Sequence, residues 1–149
     1  MLLLGSAERQ SLREFQGLQF KHFGYVEKTA RLREIYAAAD IFLNCTLADN
    51  FPLSVLESLA CGTPVLGFRT GGLPEMIDDG QGGALVETGD VSALASLLLR
   101  YLSGEIGGDW RDRARAHVVA KFSLDRQLRA HLALYQDMAP RGMEGRSPA

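Results

Sequence analysis

The stretch from Asn44 to Glu75 constrains the fold most, because it carries the signals of a complete strand–helix–strand unit. Leucines recur at helical spacing after Pro52, which can occupy the first helical turn without losing a needed N–H. Gly62 and Pro64 then end the helix. The next four residues, VLGF, form a continuous apolar run that is typical of a central parallel strand. The stretch therefore predicts an α/β protein.

Two carboxylates in this stretch lie eight residues apart. Asp49 falls in the turn DNFP just before the helix, and Glu57 lies about one turn into it. Both can face one cleft at the end of the sheet, where the first N–H groups of the helix also point. Free N–H groups at the positive end of a helix attract phosphate, whereas carboxylates accept hydrogen bonds from sugar hydroxyls. Together they predict a site for a ligand that has both a phosphate and a polyol.

Apolar runs and helical patterns alternate along the rest of the chain, and turn signals separate them. The predicted strands lie at residues 2–4, 18–23, 41–44, 64–68 and 84–86. The predicted helices lie at residues 7–15, 29–39, 52–61, 74–77, 91–102, 110–121 and 124–137, with Thr29, Asp90 and Ser123 as N-caps of three of them. This alternation predicts one Rossmann-like domain over residues 1–138, with a parallel sheet and helices on both faces. Residues 139–149 are predicted to be a disordered tail.

Charge and cysteine content limit the partners. The net charge is −2 and no basic run occurs, which argues against nucleic acid as a partner. Cys45 and Cys61 have no metal-ligand neighbours, so we expect both to pack in the core of a protein of the reducing cytosol, without a metal or other cofactor. No apolar run reaches the roughly 20 residues of a membrane span. We therefore expect a cytoplasmic protein, with membrane association only through a missing domain or partner.

The run DNFPLSVLESLACGTPVLGFRTGGLPEMI resembles the acid-x7-acid signature of a large family of retaining glycosyltransferases. That family, of GT-B type, includes glycogen synthases, sucrose synthases and many bacterial mannosyl- and glucosyltransferases. The most specific part is ESLACGTPV followed by GGLPE. The resemblance covers residues 2–135 and only the family's C-terminal, nucleotide-sugar-binding domain. It implies transfer of a sugar from a nucleotide-sugar, with retention of configuration and without a metal, in polysaccharide or glycan synthesis.

The resemblance also implies roles for particular residues. Asp49, where the family usually has Glu, would be the catalytic-site acid and would hold hydroxyls of the donor sugar. Glu57 would accept hydrogen bonds from the ribose hydroxyls. Three backbone N–H groups would approach the donor sugar and diphosphate, those of Phe51, Leu53 and Ser54. The turn at Gly24 and Tyr25 would lie near the nucleotide base, or else serves only the local turn and its packing.

The start of the family's domain has no counterpart in this chain, which begins at what resembles the second strand. The family's first strand is central, and the loop after it carries an Arg and a Lys that clamp the diphosphate. If the sheet closes over the gap, five strands in the flavodoxin-like order 2-1-3-4-5 result, with the first strand beside residues 41–44. Alternatively a second copy fills the gap and makes a homodimer, because unpaired strand edges recruit partners. Arg69 could supply positive charge in the cleft or face solvent.

Three classes of function stay open. The first is the donor-binding domain of a glycosyltransferase, with acceptor binding left to a separate domain, and the acid-x7-acid run favours it. The second is a non-catalytic nucleotide-binding or interaction module, which the missing basic clamp favours over an active enzyme. The third is half of a sugar-nucleotide epimerase, which would need further acidic and histidine residues from a partner domain. We expect the isolated chain to bind UDP or a similar nucleotide weakly and to turn over little or nothing.

Overall fold

The computed structural model describes residues 2–3, 17 and 19–138. Its strands are β1 (Leu2–Leu3), β2 (Lys21–His22), β3 (Phe42–Asn44), β4 (Val65–Phe68) and β5 (Gly83–Val86). Its helices are α1 (Thr29–Ala38), α2 (Leu53–Ala60), α3 (Leu73–Met76), α4 (Val91–Leu102), α5 (Trp110–Phe122) and α6 (Leu124–Met138). The predicted helix at residues 7–15 and the predicted tail at 139–149 lie outside the described residues.

The predicted helices agree with α1 to α6 to within one or two residues at their ends, and of the predicted caps Asp90 is present whereas Thr29 is not. Asp90 caps α4, since its Oδ1 accepts the N–H of Ala93 at 2.8 Å. Thr29 is not a cap, because α1 begins at Thr29 itself and Lys28 occupies the cap position without a side-chain hydrogen bond. The Lys28 carbonyl instead accepts the N–H of Leu32 at 3.0 Å, which begins the helical hydrogen bonding one residue earlier than predicted.

The described strands form two parallel sheets, and this corrects the prediction of a single five-stranded one. β1 pairs with β2, and β3, β4 and β5 pair in that order. Phe42 lies opposite Val65, and Val65 lies opposite Gly83. Within the part of the chain that the structure describes, no ladder joins β1 to β3. Leu2 pairs with Lys21 and Leu3 with His22, so the described pairing of the smaller sheet is two residues long.

β4 is the centre of the core, and all four of its residues are buried. Val65 packs into a cluster with residues of α2, α3 and α5, whereas Leu66 and Phe68 pack on the opposite face with Leu94 and Trp110. Successive side chains of a strand point to opposite faces, which explains why neighbours in one tetrapeptide belong to two clusters. The prediction of a parallel sheet with helices on both faces is therefore confirmed for β3, β4 and β5.

The last helix, α6, lies largely outside this core. It contains no buried residue, and several of its apolar side chains are exposed. These are Leu124, Leu128, Leu132, Leu134, Tyr135 and Met138. Among the described helices, none is both long enough and apolar enough to cross a bilayer.

Candidate functional site

Two loops that follow neighbouring parallel strands touch each other through their backbones. One is the acid turn, which we define as residues 45–52 after β3, and the other is residues 69–72 after β4. Gly71 has a φ of +51°, and a Cβ there would overlap the carbonyl oxygen of Asp49. A Cβ on Gly72 would overlap the carbonyl oxygen of Asn50. Only glycines permit so close an approach, so the pair GG places the second loop against the acid turn.

Two side-chain hydrogen bonds tether the acid turn, one to the loop after β4 and one to the end of β3. The Thr70 hydroxyl donates to the Leu47 carbonyl at 3.0 Å. The Asn44 side chain is 5% exposed, and its Oδ1 accepts the N–H of Thr46 at 3.2 Å. The acid turn is thus tethered at both its beginning and its middle. This fixes the backbone from which Asp49 projects.

Asp49 forms a local turn of its own. Its Oδ1 accepts the N–H of Phe51 at 3.0 Å, the pattern of an Asx turn. This bond occupies the Phe51 N–H, which the family resemblance assigned to the donor ligand. The turn uses only Oδ1 of the Asp49 carboxylate, and Oδ2 takes no part in it. In this structure the backbone of Phe51 therefore positions the acid, and its ring packs at 5.9 Å from that of Phe122.

Helix α2 begins next to this acid without a side-chain cap. Pro52 occupies the cap position, and its carbonyl accepts the N–H of Val55 at 3.0 Å. The N–H groups of Leu53 and Ser54 precede that bond, so they belong to the first turn, whose donors have no intrahelical partner. The Leu53 side chain is 66% exposed, which places this first turn at the surface. Two backbone donors at the positive end of α2 are consequently available to an anion.

Glu57 lies on the exposed side of α2 and has a partner that the sequence did not indicate. Its Oε2 accepts the hydroxyl of Tyr36, on α1, at 3.3 Å. Tyr36 is 4% exposed, and burial followed by the negative charge of Glu57 raises its pKa far above the usual value of a phenol. Asp49 and Glu57 therefore have different partners, one in its own turn and one on another helix. That both face a single cleft stays a prediction.

Gly24 and Tyr25 lie between β2 and α1. Gly24 has a φ of +65°, and a Cβ there would meet open space. Tyr25 is 83% exposed. These observations describe an open turn, and a place for it beside a nucleotide base stays a prediction.

Arg69 is engaged with carboxylates. Its guanidinium lies 3.4 Å from Asp79 and 3.7 Å from Glu87. Its carbonyl accepts the Thr88 hydroxyl at 2.8 Å, which anchors the backbone as well. Arg69 was predicted either to supply positive charge in the cleft or to face solvent. Its pairing with Asp79 and Glu87 favours the solvent-facing alternative.

The cysteines differ from expectation. Cys45 is exposed rather than packed in the core, because it follows the short strand β3 at the start of the acid turn. Cys61 is half-buried, and both are free thiols. Among the described residues, no three His, Cys, Asp or Glu side chains lie together in a group that could hold a metal ion.

Sequence reasoning missed Tyr36 and the role of the Gly71–Gly72 pair. Tyr36 belongs to the apolar stripe of α1, and no spacing rule relates it to a residue 21 positions later. The glycine pair did carry a signal, since two consecutive glycines after a buried strand indicate a close backbone approach. That signal does not say what approaches.

The fold defines the class of the protein. A parallel sheet covered by helices on both faces, with loops from two strand ends meeting at a helix start, is the Rossmann-like arrangement of GT-B glycosyltransferase domains. A family model described as "Glycosyl transferases group 1" matches residues 1–104. The chain belongs to this family, as the resemblance of the run from Asp49 to Ile77 predicted.

A curated relative gives the same result. The D-inositol 3-phosphate glycosyltransferase of Corynebacterium jeikeium is 39% identical over 117 residues, which cover 77% of this chain and 28% of that protein. The chain therefore spans under a third of the length of the curated relatives that it matches first.

Solved structures agree on the fold. The sucrose-phosphate synthase of Thermosynechococcus elongatus has a TM-score of 0.77 and 25% identity, and the match covers 92% of this chain and 38% of that one. Anabaena Alr3699/HepE, solved in complex with UDP, has a TM-score of 0.72 and 19% identity, with coverage of 89% and 40%. At 19% identity, the similarity to the Anabaena protein is one of fold alone.

Proposed function

We propose that this chain is the donor-binding domain of a retaining glycosyltransferase of polysaccharide or glycan synthesis. It binds a nucleotide-sugar at the carboxyl ends of β3 and β4, without a metal. The observation that carries the proposal is the backbone contact of Gly71 and Gly72 with the acid turn, which fixes Asp49 beside the uncapped start of α2. A fixed acid next to free N–H donors suits a sugar joined to a diphosphate.

The donor's parts are distributed over this surface. The Leu53 and Ser54 N–H groups receive the diphosphate, and Asp49 accepts hydrogen bonds from hydroxyls of the sugar. Glu57, one turn further along α2, accepts them from the ribose. A nucleotide-sugar donor is supported by the relatives, which include a D-inositol 3-phosphate glycosyltransferase, a sucrose-phosphate synthase and a protein solved in complex with UDP.

Sugar transfer by this chain alone is expected to be slight or absent. Departure of a nucleoside diphosphate requires positive charge close to the developing anion. Arg69, which follows β4, is already paired with Asp79 and Glu87. This pairing is the observation that favours the second candidate, a module that binds the nucleotide without catalysing transfer.

The acceptor would be bound by a separate domain, and a homodimer would form if a second copy of the chain filled the gap in the sheet. A second copy would use the edge of β3, which among the described strands is paired only with β4. Leu43 on this strand is 39% exposed, so the edge offers some apolar surface. Sedimentation equilibrium of the purified chain tests the homodimer, because it measures whether the mass in solution is that of one copy or of two.

Isothermal titration with UDP, GDP and ADP tests the proposed function. We expect one of the three, with UDP the first choice, to bind weakly to the wild-type chain. Glu57→Ala should lower that affinity about tenfold or more, because hydrogen bonds to a charged acceptor are lost. Glu105→Ala is the matched control, since Glu105 pairs with Arg100 at 2.7 Å on another part of the surface. Equal affinity of the wild type and Glu57→Ala would remove Glu57 from the site.

A further inference from the structure

Tyr36 and Glu57 join two helices at the candidate site. The Tyr36 hydroxyl, from α1, donates to Oε2 of Glu57, on α2, at 3.3 Å. This is longer than the roughly 2.7–2.8 Å typical of O–H···O bonds, so the contact can still tighten when a ligand fixes the carboxylate.

The tyrosine is the rigid partner of this pair. Its carbonyl accepts the Thr63 hydroxyl at 2.6 Å and the N–H of Ala39 at 3.0 Å. Its ring meets that of Phe42 edge-on, with centroids 5.8 Å apart and an interplanar angle of 89°. Glu57, by contrast, is an exposed side chain with three rotatable bonds. The Tyr36 hydroxyl is therefore held in place by the packing of its residue, and the more flexible Glu57 carboxylate bonds to it.

In the hydrogen bond between the two residues, Tyr36 is the donor and Glu57 the acceptor. Burial, then the negative charge of Glu57, raises the pKa of Tyr36, so the phenol stays protonated and remains the donor. A carboxylate has about four lone-pair positions on two oxygens. Tyr36 contacts Oε2, which leaves Oε1 to accept hydrogen bonds from a ligand.

We propose that Tyr36 is a positioning residue, which orients the Glu57 carboxylate so that Oε1 accepts the hydroxyls of a nucleotide's ribose. The proposal rests on the function proposed above and adds a residue to that site. Holding an exposed carboxylate in one rotamer before binding spares the entropy of ordering it afterwards. The effect should therefore appear in affinity for ribose-bearing nucleotides.

The competing explanation is that Tyr36 only ties α1 to α2. Both explanations predict a small loss of stability when the hydroxyl is removed. Only a positioning role predicts a loss of affinity that depends on the ribose hydroxyls and on the presence of Glu57. The test therefore compares nucleotides and backgrounds as well as variants.

The experiment measures binding of UDP and of 2′,3′-dideoxy-UDP by titration calorimetry, with thermal melts of each protein. Tyr36→Phe keeps the buried ring and removes the hydroxyl. The matched control is Tyr101→Phe, because the Tyr101 hydroxyl also makes a hydrogen bond, to the Asp40 carbonyl at 2.9 Å. Tyr36→Phe is measured again in the Glu57→Ala background. If Tyr36→Phe does not fold, 4-aminophenylalanine at position 36 keeps a donor and should retain most of the wild-type affinity, whereas 4-methylphenylalanine should not.

We expect Tyr36→Phe to weaken UDP binding about three- to tenfold. Its binding of the dideoxy nucleotide, and UDP binding by Tyr101→Phe, should equal the wild type's. In the Glu57→Ala background the same change should have no further effect. Unchanged UDP binding by Tyr36→Phe overturns the inference, as does an equal loss with the dideoxy nucleotide or in the absence of Glu57. If the wild-type chain binds none of UDP, GDP and ADP, the proposed function fails and the inference fails with it.

Discussion

Gly71 shows how a residue without a side chain can determine the place of an acid. Its φ of +51° is strained for other residues, and its backbone leaves no room for a Cβ beside the Asp49 carbonyl. A substitution there must move one of two loops that are each held by further bonds, such as Thr70 to Leu47. The free-energy cost of the backbone strain and that of the steric overlap should add, since the two costs arise from different atoms.

Gly71→Ala should therefore destabilise the protein by about 3 kcal/mol or more, through backbone strain and displacement of the acid turn. Gly80→Ala is the control, because Gly80 has a φ of +80° but open space around the position of a Cβ. That control should cost only the left-handed backbone penalty of about 1–2 kcal/mol. Urea unfolding of both variants measures the difference. Equal losses of stability in the two variants would show that the loop after β4 can move away from the acid turn at no free-energy cost.

At this scale the sequence indicated two candidate acids, Asp49 and Glu57, but not the partners that the structure gives them. Asp49 and Glu57 were recognisable because one adjoins and the other lies within a helix whose start and stop signals are local. The bond from the Phe51 N–H to Asp49 was not predicted, since an Asx turn competes with a ligand for the same donor and the sequence does not say which prevails. The contact of Tyr36 with Glu57 depends on how two helices pack, which no local pattern specifies.

Among the elements, α5 is attached to the segment after α3 by a polar contact. The Lys121 ammonium donates to Oδ2 of Asp78 at 2.6 Å, and Nδ1 of His117 lies 3.7 Å from the same oxygen. The hydrogen bond from Lys121 is the main cause that lowers the pKa of Asp78, with a further contribution from the nearby His117. Nε2 of His117 also lies 3.0 Å from the Met76 carbonyl, so the histidine is held between α5 and α3.

This contact makes stability depend on pH in a defined window. Because the folded-state pKa of Asp78 is lowered, its contribution is fully present above the unfolded value of about 3.9 and is lost as pH falls through the folded value. Lys121→Met should remove most of this contribution and flatten the fall in stability between about pH 5 and pH 2. The change should stay within about 1 kcal/mol, since both side chains are nearly half exposed.

Urea unfolding at several pH values measures this slope. Lys28→Met is the control, because Lys28 is an exposed lysine outside the pair with Asp78. The control should reproduce the wild-type slope. A Lys121→Met slope as steep as that of the wild type would assign the acid sensitivity to other carboxylates.

The bounds of the elements were largely predictable, whereas the joining of strands was not. Periodicity and turn residues gave α4 correctly from Val91 to Leu102, because a helix closes its hydrogen bonds within its own sequence. The split between β1–β2 and β3–β4–β5 depends on pairing between distant segments, and the order 2-1-3-4-5 assumed that all five strands form one ladder. Cys45 was misplaced because β3 ends at the buried Asn44, and Cys45 is the first, exposed residue of the loop that follows.

For the whole molecule, stability is expected to be unevenly distributed. β4 is paired on both sides and all its residues are buried, whereas α6 buries none. Amide hydrogens of β4 should therefore exchange more slowly than those of α6, by a factor on the order of a thousand or more. Hydrogen exchange followed by mass spectrometry or NMR measures this ratio. Comparable protection of both would mean that the apolar side chains of α6 are covered in solution.

Cys45 offers the experimenter a native attachment point beside the acid turn. It is exposed and lies four positions before Asp49, whereas Cys61 is half-buried just after the far end of α2. Exposure favours labelling of the first thiol by a maleimide fluorophore, whereas burial raises the pKa of Cys45 and calls for labelling at mildly alkaline pH. The dye would then report in real time whether added nucleotides change the surroundings of the turn, without any engineered cysteine.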